Sequence, residues 1–193
     1  MPAGTRLFIA ITVILFLLMS GILGGLQWFQ SFSRSDPAEV QAIADTILPL
    51  NLSEEFIPVK GADLSELNNL KLVSFEKTDD RGRTTTLNMT AMAQENFDGS
   101  KPFSSGTDWE DENFQAVEST QPTYAFQGFP IVGHYVRLKN QATQDIRVEM
   151  AVALDWQDTK VVLSLTGPAD TTSHQDFQTI LDSIARQEVN GTP

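Results

Sequence analysis

The side chains that could do chemistry in this chain are few, and its two histidines come first. His134 alternates with Val132 and Val136 on one face of a predicted strand, a pattern typical of a half-buried histidine. His174 falls in the first turn of a predicted helix, where we expect it to be solvated. The chain has no cysteine, and 40 positions separate the two histidines. A zinc site would therefore need carboxylates that the spacing does not select.

One dense run of acidic residues lies within the segment 94–113, which is also rich in Gly and Ser. Ca²⁺ favours clustered carboxylate oxygens, but the run does not have the spacing of an EF-hand loop. A solvated acidic loop is the alternative interpretation. If calcium binds, the first candidates as ligands are Asp108, Glu110, Asp111 and Glu112.

The sequence contains none of the short motifs that build common catalytic sites. It has no G-x-S-x-G nucleophile elbow, no Walker loop and no dinucleotide fingerprint. Ser104 and Ser105 precede Gly106 in a loop-like stretch without an identifiable His–Asp partner. We therefore predict that the chain is not an enzyme and needs no cofactor.

The amino-terminal region predicts a membrane anchor. Leu7 to Phe29 is 23 residues long and carries no charge, whereas about 20 apolar residues span a bilayer core. A cleaved signal peptide is the alternative, but the small residues near Gly21 and Gly24 pair poorly as a cleavage site, and the apolar run continues past them. The prediction is a signal-anchor that makes the chain a single-pass bacterial membrane protein, with the lipid bilayer as a partner of this segment.

The short amino-terminal tail before a large domain favours a cytoplasmic N-terminus, with the domain in the periplasm, lumen or extracellular space. The resulting division is a cytoplasmic tail (1–6), the anchor (7–29), a linker (30–35), an extracytoplasmic domain (36–187) and a flexible tail (188–193). The chain carries 13 Lys and Arg against 25 Asp and Glu, for a net charge of −12. Such acidity opposes nucleic-acid binding, which depends on neutralising phosphates.

The periodicity of the domain predicts a sheet between two helices. Asp36 caps a helix that Pro49 ends, and Thr172 with Gln175 caps a final helix. Ala62 to Leu70 has the spacing of one or two helical turns. The predicted strands are Lys71 to Lys77, Thr84 to Ala93, Phe114 to Thr120, Pro130 to Lys139, Asp145 to Trp156, and Lys160 to Gly167, which closes the sheet.

Strands in a run with helices at both ends predict the α+β class. The full expectation is an N-terminal transmembrane helix followed by one antiparallel sheet of about six strands, covered by an N-terminal and a C-terminal helix.

The carboxy-terminal third resembles a known superfamily. Leu154-Asp155-Trp156, a turn, and the stretch from Val161 to Pro168 lead into F-x-x-I-L-x-S-I at positions 177–184. This arrangement resembles the close of the small α/β/α proteins of the PsbP-like superfamily, and also that of uncharacterised single-span bacterial membrane proteins. The resemblance covers residues 129–186, and it implies a non-enzymatic binding or assembly factor. No functional residue is carried over, and the acidic loop departs from the pattern.

The function predicted from the sequence is that of a membrane-anchored, non-catalytic extracytoplasmic domain that binds or helps assemble a neighbouring membrane complex. The alternative is a small-ligand or calcium-binding module that uses the acidic loop 94–113. A protein at the membrane is the expected partner. The predicted contact residues are Phe97, Phe103, Trp109, Arg137 and Arg147.

Overall fold

Strands dominate the chain. The computed structural model describes residues 33–97 and 113–184. A compact unit begins at Ser35, and its helices are α1 (Pro37–Ile47), α2 (Ser65–Asn68) and α3 (His174–Asp182), with a 3-10 turn at Gln94–Asn96. The described strands are β1 (Ser33–Arg34), β2 (Ile57–Leu64), β3 (Leu70–Thr78), β4 (Thr84–Ala93), β5 (Phe114–Thr120), β6 (Thr123–Phe126), β7 (Phe129–Val132), β8 (His134–Asn140), β9 (Ile146–Trp156) and β10 (Thr159–Pro168).

One large antiparallel sheet organises these strands. From β2 onward its order is β2-β3-β4-β10-β9-β8-β5, while β6 and β7 form a separate two-stranded hairpin. The prediction of β10 as the closing strand implied a position at an edge of the sheet. Instead, β10 lies between β9 and β4. Val161, Leu163 and Leu165 of β10 are at most 1% exposed. Burying one such side chain stabilises the fold by about 1.5–3 kcal/mol.

Helix α1 forms where the sequence predicts it. The backbone N–H groups of Ala38 and Glu39 donate to the carboxylate of Asp36, at 3.0 and 3.2 Å. This cap satisfies two of the N–H groups that lack a partner within the helix. The apolar side of α1 packs against the sheet through Val40 and Ala44.

Helix α3 packs its apolar side into the same core through Phe177, Ile180 and Leu181. Its cap is the reciprocal pair of Ser173 and Asp176, one residue later than the predicted pair. The core thus lies between the sheet and the two helices, and the hairpin β6–β7 contributes Tyr124 to it.

The predicted α+β class is wrong, because the described residues are mostly β. The sequence pattern missed strands where Pro and Gly interrupt it. Pro58 lies inside β2, next to a register shift, and Gly61 lies farther along the same strand. Gly133 separates β7 from β8, which the alternation had joined into one strand. The predicted helical turns from Ala62 onward reduce to the four residues of α2.

The predicted membrane topology also requires correction. No helix within residues 33–97 and 113–184 is long and apolar enough to cross a membrane. The structure therefore does not support a single-pass membrane protein with a signal-anchor, a cytoplasmic N-terminus and an extracytoplasmic domain, and those predictions are corrected on this finding. The predicted anchor, Leu7 to Phe29, lies outside the described residues.

Candidate functional site

The two histidines have different environments. His134 begins β8, opposite Ala151 of β9, and is half-buried as predicted. Burial lowers the pKa of its imidazole, which favours the neutral ring. His174 is exposed at the start of α3, but its Nδ1 lies 2.7 Å from the hydroxyl oxygen of Tyr124. The prediction that His174 is only solvated missed this contact.

Tyr124 is the centre of an aromatic cluster. It is 5% exposed, and its ring meets Phe177 edge-on at 5.1 Å between centroids. Tyr135 packs on the other side of His174, with ring centroids 4.8 Å apart. Burial raises the pKa of the Tyr124 phenol, so the phenol stays protonated and can donate to an unprotonated Nδ1 of His174.

Gln178 adds a second attachment between the hairpin β6–β7 and α3. Its side-chain amide donates to the carbonyl of Ala125 at 2.8 Å, and its amide oxygen accepts from the Ala125 N–H at 3.0 Å. Together with the Tyr124–His174 contact, these bonds hold the hairpin against the helix. The cluster contains no activated nucleophile, so we interpret it as a structural attachment.

A groove of about 690 Å³ lies at the end of the sheet where β4 begins and β10 ends. Volumes of this order are typical of ligand sites. Two arginines from the sequence prediction, Arg137 and Arg147, are among its lining residues. The complete lining is Gly82, Arg83, Thr84, Arg137, Gln144, Asp145, Ile146, Arg147, Pro168, Ala169 and Asp170.

The arginines of this groove differ in how their charge is compensated. Arg83 donates to Asp79 at 2.9 Å and to Asp170 at 2.8 Å, so two carboxylates surround it. Its hydrogen bonds lower the pKa of both carboxyls, through the Arg83 backbone N–H for Asp79 and through the guanidinium for Asp170. Arg147 lies over the ring of Phe114, 5.3 Å from its centroid.

Arg137 has no such partner within the part of the chain that the structure describes. Its Nε is buried and lacks a hydrogen-bond partner there. Glu118 is its cross-strand neighbour on β5, but the two side chains form no ion pair within the described ranges. Arg137 as a whole is only partly buried, but a buried polar atom without a partner calls for an explanation.

The structure separates the predicted contact residues. Phe97 lies beside the ammonium of Lys160, 5.3 Å from its ring centroid, and Lys160 is opposite Asp155 at the beginning of β10. Arg147 is opposite Pro168 at the other end of that strand, about 26 Å away at about 3.3 Å per residue. Phe103 and Trp109 lie outside the described residues.

A smaller cavity of about 180 Å³ lies between α3, β4 and the segment before β2. Several of its hydroxyl groups already have partners inside the protein. Thr179 donates to the carbonyl of Gln175 at 2.8 Å, and the hydroxyl oxygens of Thr85 and Thr172 are 3.3 Å apart. This cavity therefore has less unused bonding capacity than the groove.

The calcium candidates Asp108, Glu110, Asp111 and Glu112 all lie outside the described residues, and the calcium interpretation stays a prediction. In the ranges 33–97 and 113–184, no group of three or more acidic or histidine side chains is arranged to hold a metal ion.

The outer strand β5 is the other distinctive surface. Among the described strands it pairs only with β8, and it is the terminal strand on its side of the sheet. Its residues from Gln115 to Thr120 are exposed, and the register shifts at Val117, between Ala116 and Glu118. The described large apolar side chains that are more than half exposed are Ile57, Val117, Phe129 and Val132, and all but Ile57 lie in β5 or in the hairpin that follows it.

Residues 33–97 and 113–184 thus form a β-sheet domain with a charged groove and a sheet edge that no described strand covers. No protein-family model matches this sequence, and no curated protein matches it. The resemblance to the PsbP-like superfamily stays a prediction.

Proposed function

We propose that this chain is a non-catalytic protein-binding domain that takes up an extended segment of a partner protein along β5. The observation that carries the proposal is the exposed apolar side chain of Val117 on a terminal strand whose outer edge no described strand covers, followed along the chain by two further exposed apolar side chains. Val117 is 51% exposed, Phe129 72% and Val132 64%. Exposed apolar residues grouped in this way are typical of interaction sites.

The backbone of β5 supplies the main attraction in this proposal. An edge strand presents unpaired N–H and C=O groups, and an extended peptide can add to it as a further strand. Seven residues give a ladder of about 23 Å. Natural proteins commonly protect such edges with lysine or proline, but β5 contains neither.

The register shift at Val117 limits which partners fit. A bulge bends the strand and increases its twist, so a flat edge from an unrelated protein pairs poorly with it. A partner segment must match the bend and must cover the Val117 side chain. The bulge therefore supports selective binding and disfavours general aggregation.

The test uses the full chain and a partner first enriched by cross-linking. Amide hydrogen exchange is measured with and without that partner, together with the affinity of Val117→Lys and of the matched control Ile57→Lys. Ile57 is 56% exposed on β2, so its substitution places the same charge on a distant exposed apolar site.

We expect slower exchange at residues 114–120 in the complex, and an affinity loss of about tenfold or more, or about 1.4 kcal/mol, in Val117→Lys alone. Equal losses in both variants, or unchanged exchange along β5, would contradict the proposal. Self-association of the chain through β5, detected by sedimentation, would instead identify a second copy as the occupant and would also overturn it.

A further inference from the structure

The groove at the end of β4 and β10 contains a charge that the fold does not compensate. We propose that this groove is a binding site for a single oxyanion group, a carboxylate or a phosphate, and that Arg137 is its principal ligand. The inference goes beyond the proposed function, because it assigns a small-ligand site to a surface that strand addition on β5 does not use.

The first argument is the arginine content of the groove. The chain as a whole carries 25 acidic residues against 13 basic ones, whereas the groove is lined by three arginines and two aspartates. Asp79 and Asp170 compensate Arg83, so Arg137 is an arginine of this concave surface that no described carboxylate pairs with. A positive group in a concave surface attracts anions.

The second argument is the contrast between Arg83 and Arg137. Arg83 is held by Asp79 and Asp170 and has little capacity left for a ligand. Arg137 has a buried Nε without a partner in the described part of the chain. A planar guanidinium binds a carboxylate or phosphate through two parallel hydrogen bonds. A ligand of this kind would supply the hydrogen bonds that the protein does not.

The two aspartates restrict the size of the anion. Asp170 accepts from Arg83, and Asp145 accepts from the hydroxyl of Thr143 at 2.6 Å. Both carboxylates remain in the lining and would repel a second negative group. The groove therefore suits a ligand with one oxyanion group, and we expect a polyphosphate to bind no better than inorganic phosphate.

The other side chains of the groove are consistent with a defined orientation of the ligand. Arg147 is held over Phe114, and the register of β8 and β9 places it on the face of Leu138, opposite to the face of Arg137, so Arg147 is not a second ligand of the same group. Ile146 and Pro168 add apolar surface to the lining. An oxyanion attached to a small apolar group would meet both kinds of surface at once.

The test titrates the full chain separately with inorganic phosphate and with butyrate, which has one carboxylate on a small apolar group, with chloride as the reference anion at equal ionic strength. The readouts are the Nε–Hε resonance of Arg137 in the proteins that keep this residue, and the backbone amide resonances of the groove residues in every variant. The variants are Arg137→Gln and Arg137→Lys. The matched control is Lys139→Gln, which removes one positive charge two residues farther along β8 from a residue outside the groove lining.

We expect a saturable shift with at least one of the two probes, and a loss of affinity of about tenfold in Arg137→Gln. Arg137→Lys should keep part of the attraction but lose the paired hydrogen bonds. The probe that saturates identifies the oxyanion as carboxylate or phosphate. Lys139→Gln and Val117→Lys should bind as the wild type does, which separates this site from the β5 surface.

Three results would overturn the inference. The first is the absence of a saturable shift with both probes, and the second is an equal loss of affinity in Lys139→Gln, which would indicate general charge attraction. The third is tighter binding of tripolyphosphate than of phosphate in proportion to its charge. The melting temperature of each variant, measured without ligand, confirms that the domain remains folded.

Discussion

The centre of the sheet and the segment from β5 to β7 contain similar apolar residues, but these residues differ in how far they are exposed. Val152 and Val161 in the centre are completely buried, whereas Val117 and Val132 are more than half exposed. The side-chain chemistry of these four residues is the same. What differs is whether neighbouring strands and helices cover them, so burial assigns one group to stability and leaves the other available for the binding that we propose.

The same comparison applies to the arginines. Arg83 is compensated by two carboxylates of its own chain, and Arg137 has a buried nitrogen without a described partner. A compensated charge contributes to the fold, while an uncompensated one is retained at a cost that a ligand can offset. Mutations that exchange these roles test the comparison directly.

The largest expected effect is in the centre of the sheet. Leu163→Ala removes a side chain that is 0% exposed, and we expect the free energy of unfolding to fall by about 2–5 kcal/mol. Val117→Ala at the edge should change it by less than about 0.5 kcal/mol. Urea denaturation of both variants measures the difference. Comparable losses would mean that β5 belongs to the stabilising core and would break the comparison.

A smaller effect is expected where the hairpin meets α3. Tyr124→Phe keeps the ring against Phe177 but removes the hydrogen bond to His174, and we expect a loss of about 1 kcal/mol. Tyr135→Phe is the matched control. The Tyr135 ring also contacts His174, but its hydroxyl forms no hydrogen bond with a described residue. Thermal and urea unfolding compare the two variants. An equal or larger loss in Tyr135→Phe would contradict the role given to Tyr124.

The smallest expected effect is a change in acid sensitivity. The pKa values of Asp79 and Asp170 are lowered from 3.8 in the folded state, so their charged forms stabilise the fold above that pH. This contribution is lost as the pH falls through the lowered folded-state values. Arg83→Gln should be less stable than the wild type at neutral pH. We expect this difference in stability to shrink as the pH falls below 3.8 and passes through the lowered pKa values of the two aspartates.

Arg137→Gln is the control for acid sensitivity, because its guanidinium holds no described carboxylate. Its pH dependence of stability should match that of the wild type. Denaturation midpoints measured from neutral pH down into the acid range provide the test. Parallel curves for wild type and Arg83→Gln would show that the Arg83 side chain does not link the two aspartates to folding, since the variant keeps the backbone hydrogen bond to Asp79.

Local signals in the sequence predicted the elements that local interactions form. The cap of α1 needs only Asp36 and the N–H groups of the next turn, so the helix was predictable from its first residues. The hairpin of β3 and β4 was also predictable, because alternation and the turn near Gly82 are close together in the chain. For α3 the predicted cap was one residue early. Thr172 is buried beside Thr85, a contact between residues that are far apart in sequence.

The candidate sites were predictable only in part. Arg137 and Arg147 were selected as contact residues, but their shared groove also needs Arg83, just before β4, and Asp170, just after β10, which are distant from them in sequence. The contact of Tyr124 with His174 joins residues 50 positions apart, and no local motif marks it. The position of Phe97 at the opposite end of β10 likewise follows from strand register and from no feature of its own neighbourhood.

The sequence by itself determined the acidic character of the chain, the capped helix α1 and the alternation of most strands, because composition, capping and periodicity act over a few residues. Only the tertiary structure decided that β10 lies in the middle of the sheet, that β5 ends the described part of the sheet, and that Arg137 lacks, among the described residues, the carboxylates that Arg83 has. These features depend on which distant strands become neighbours. That choice is determined by the packing of the whole core and by no short segment of the sequence.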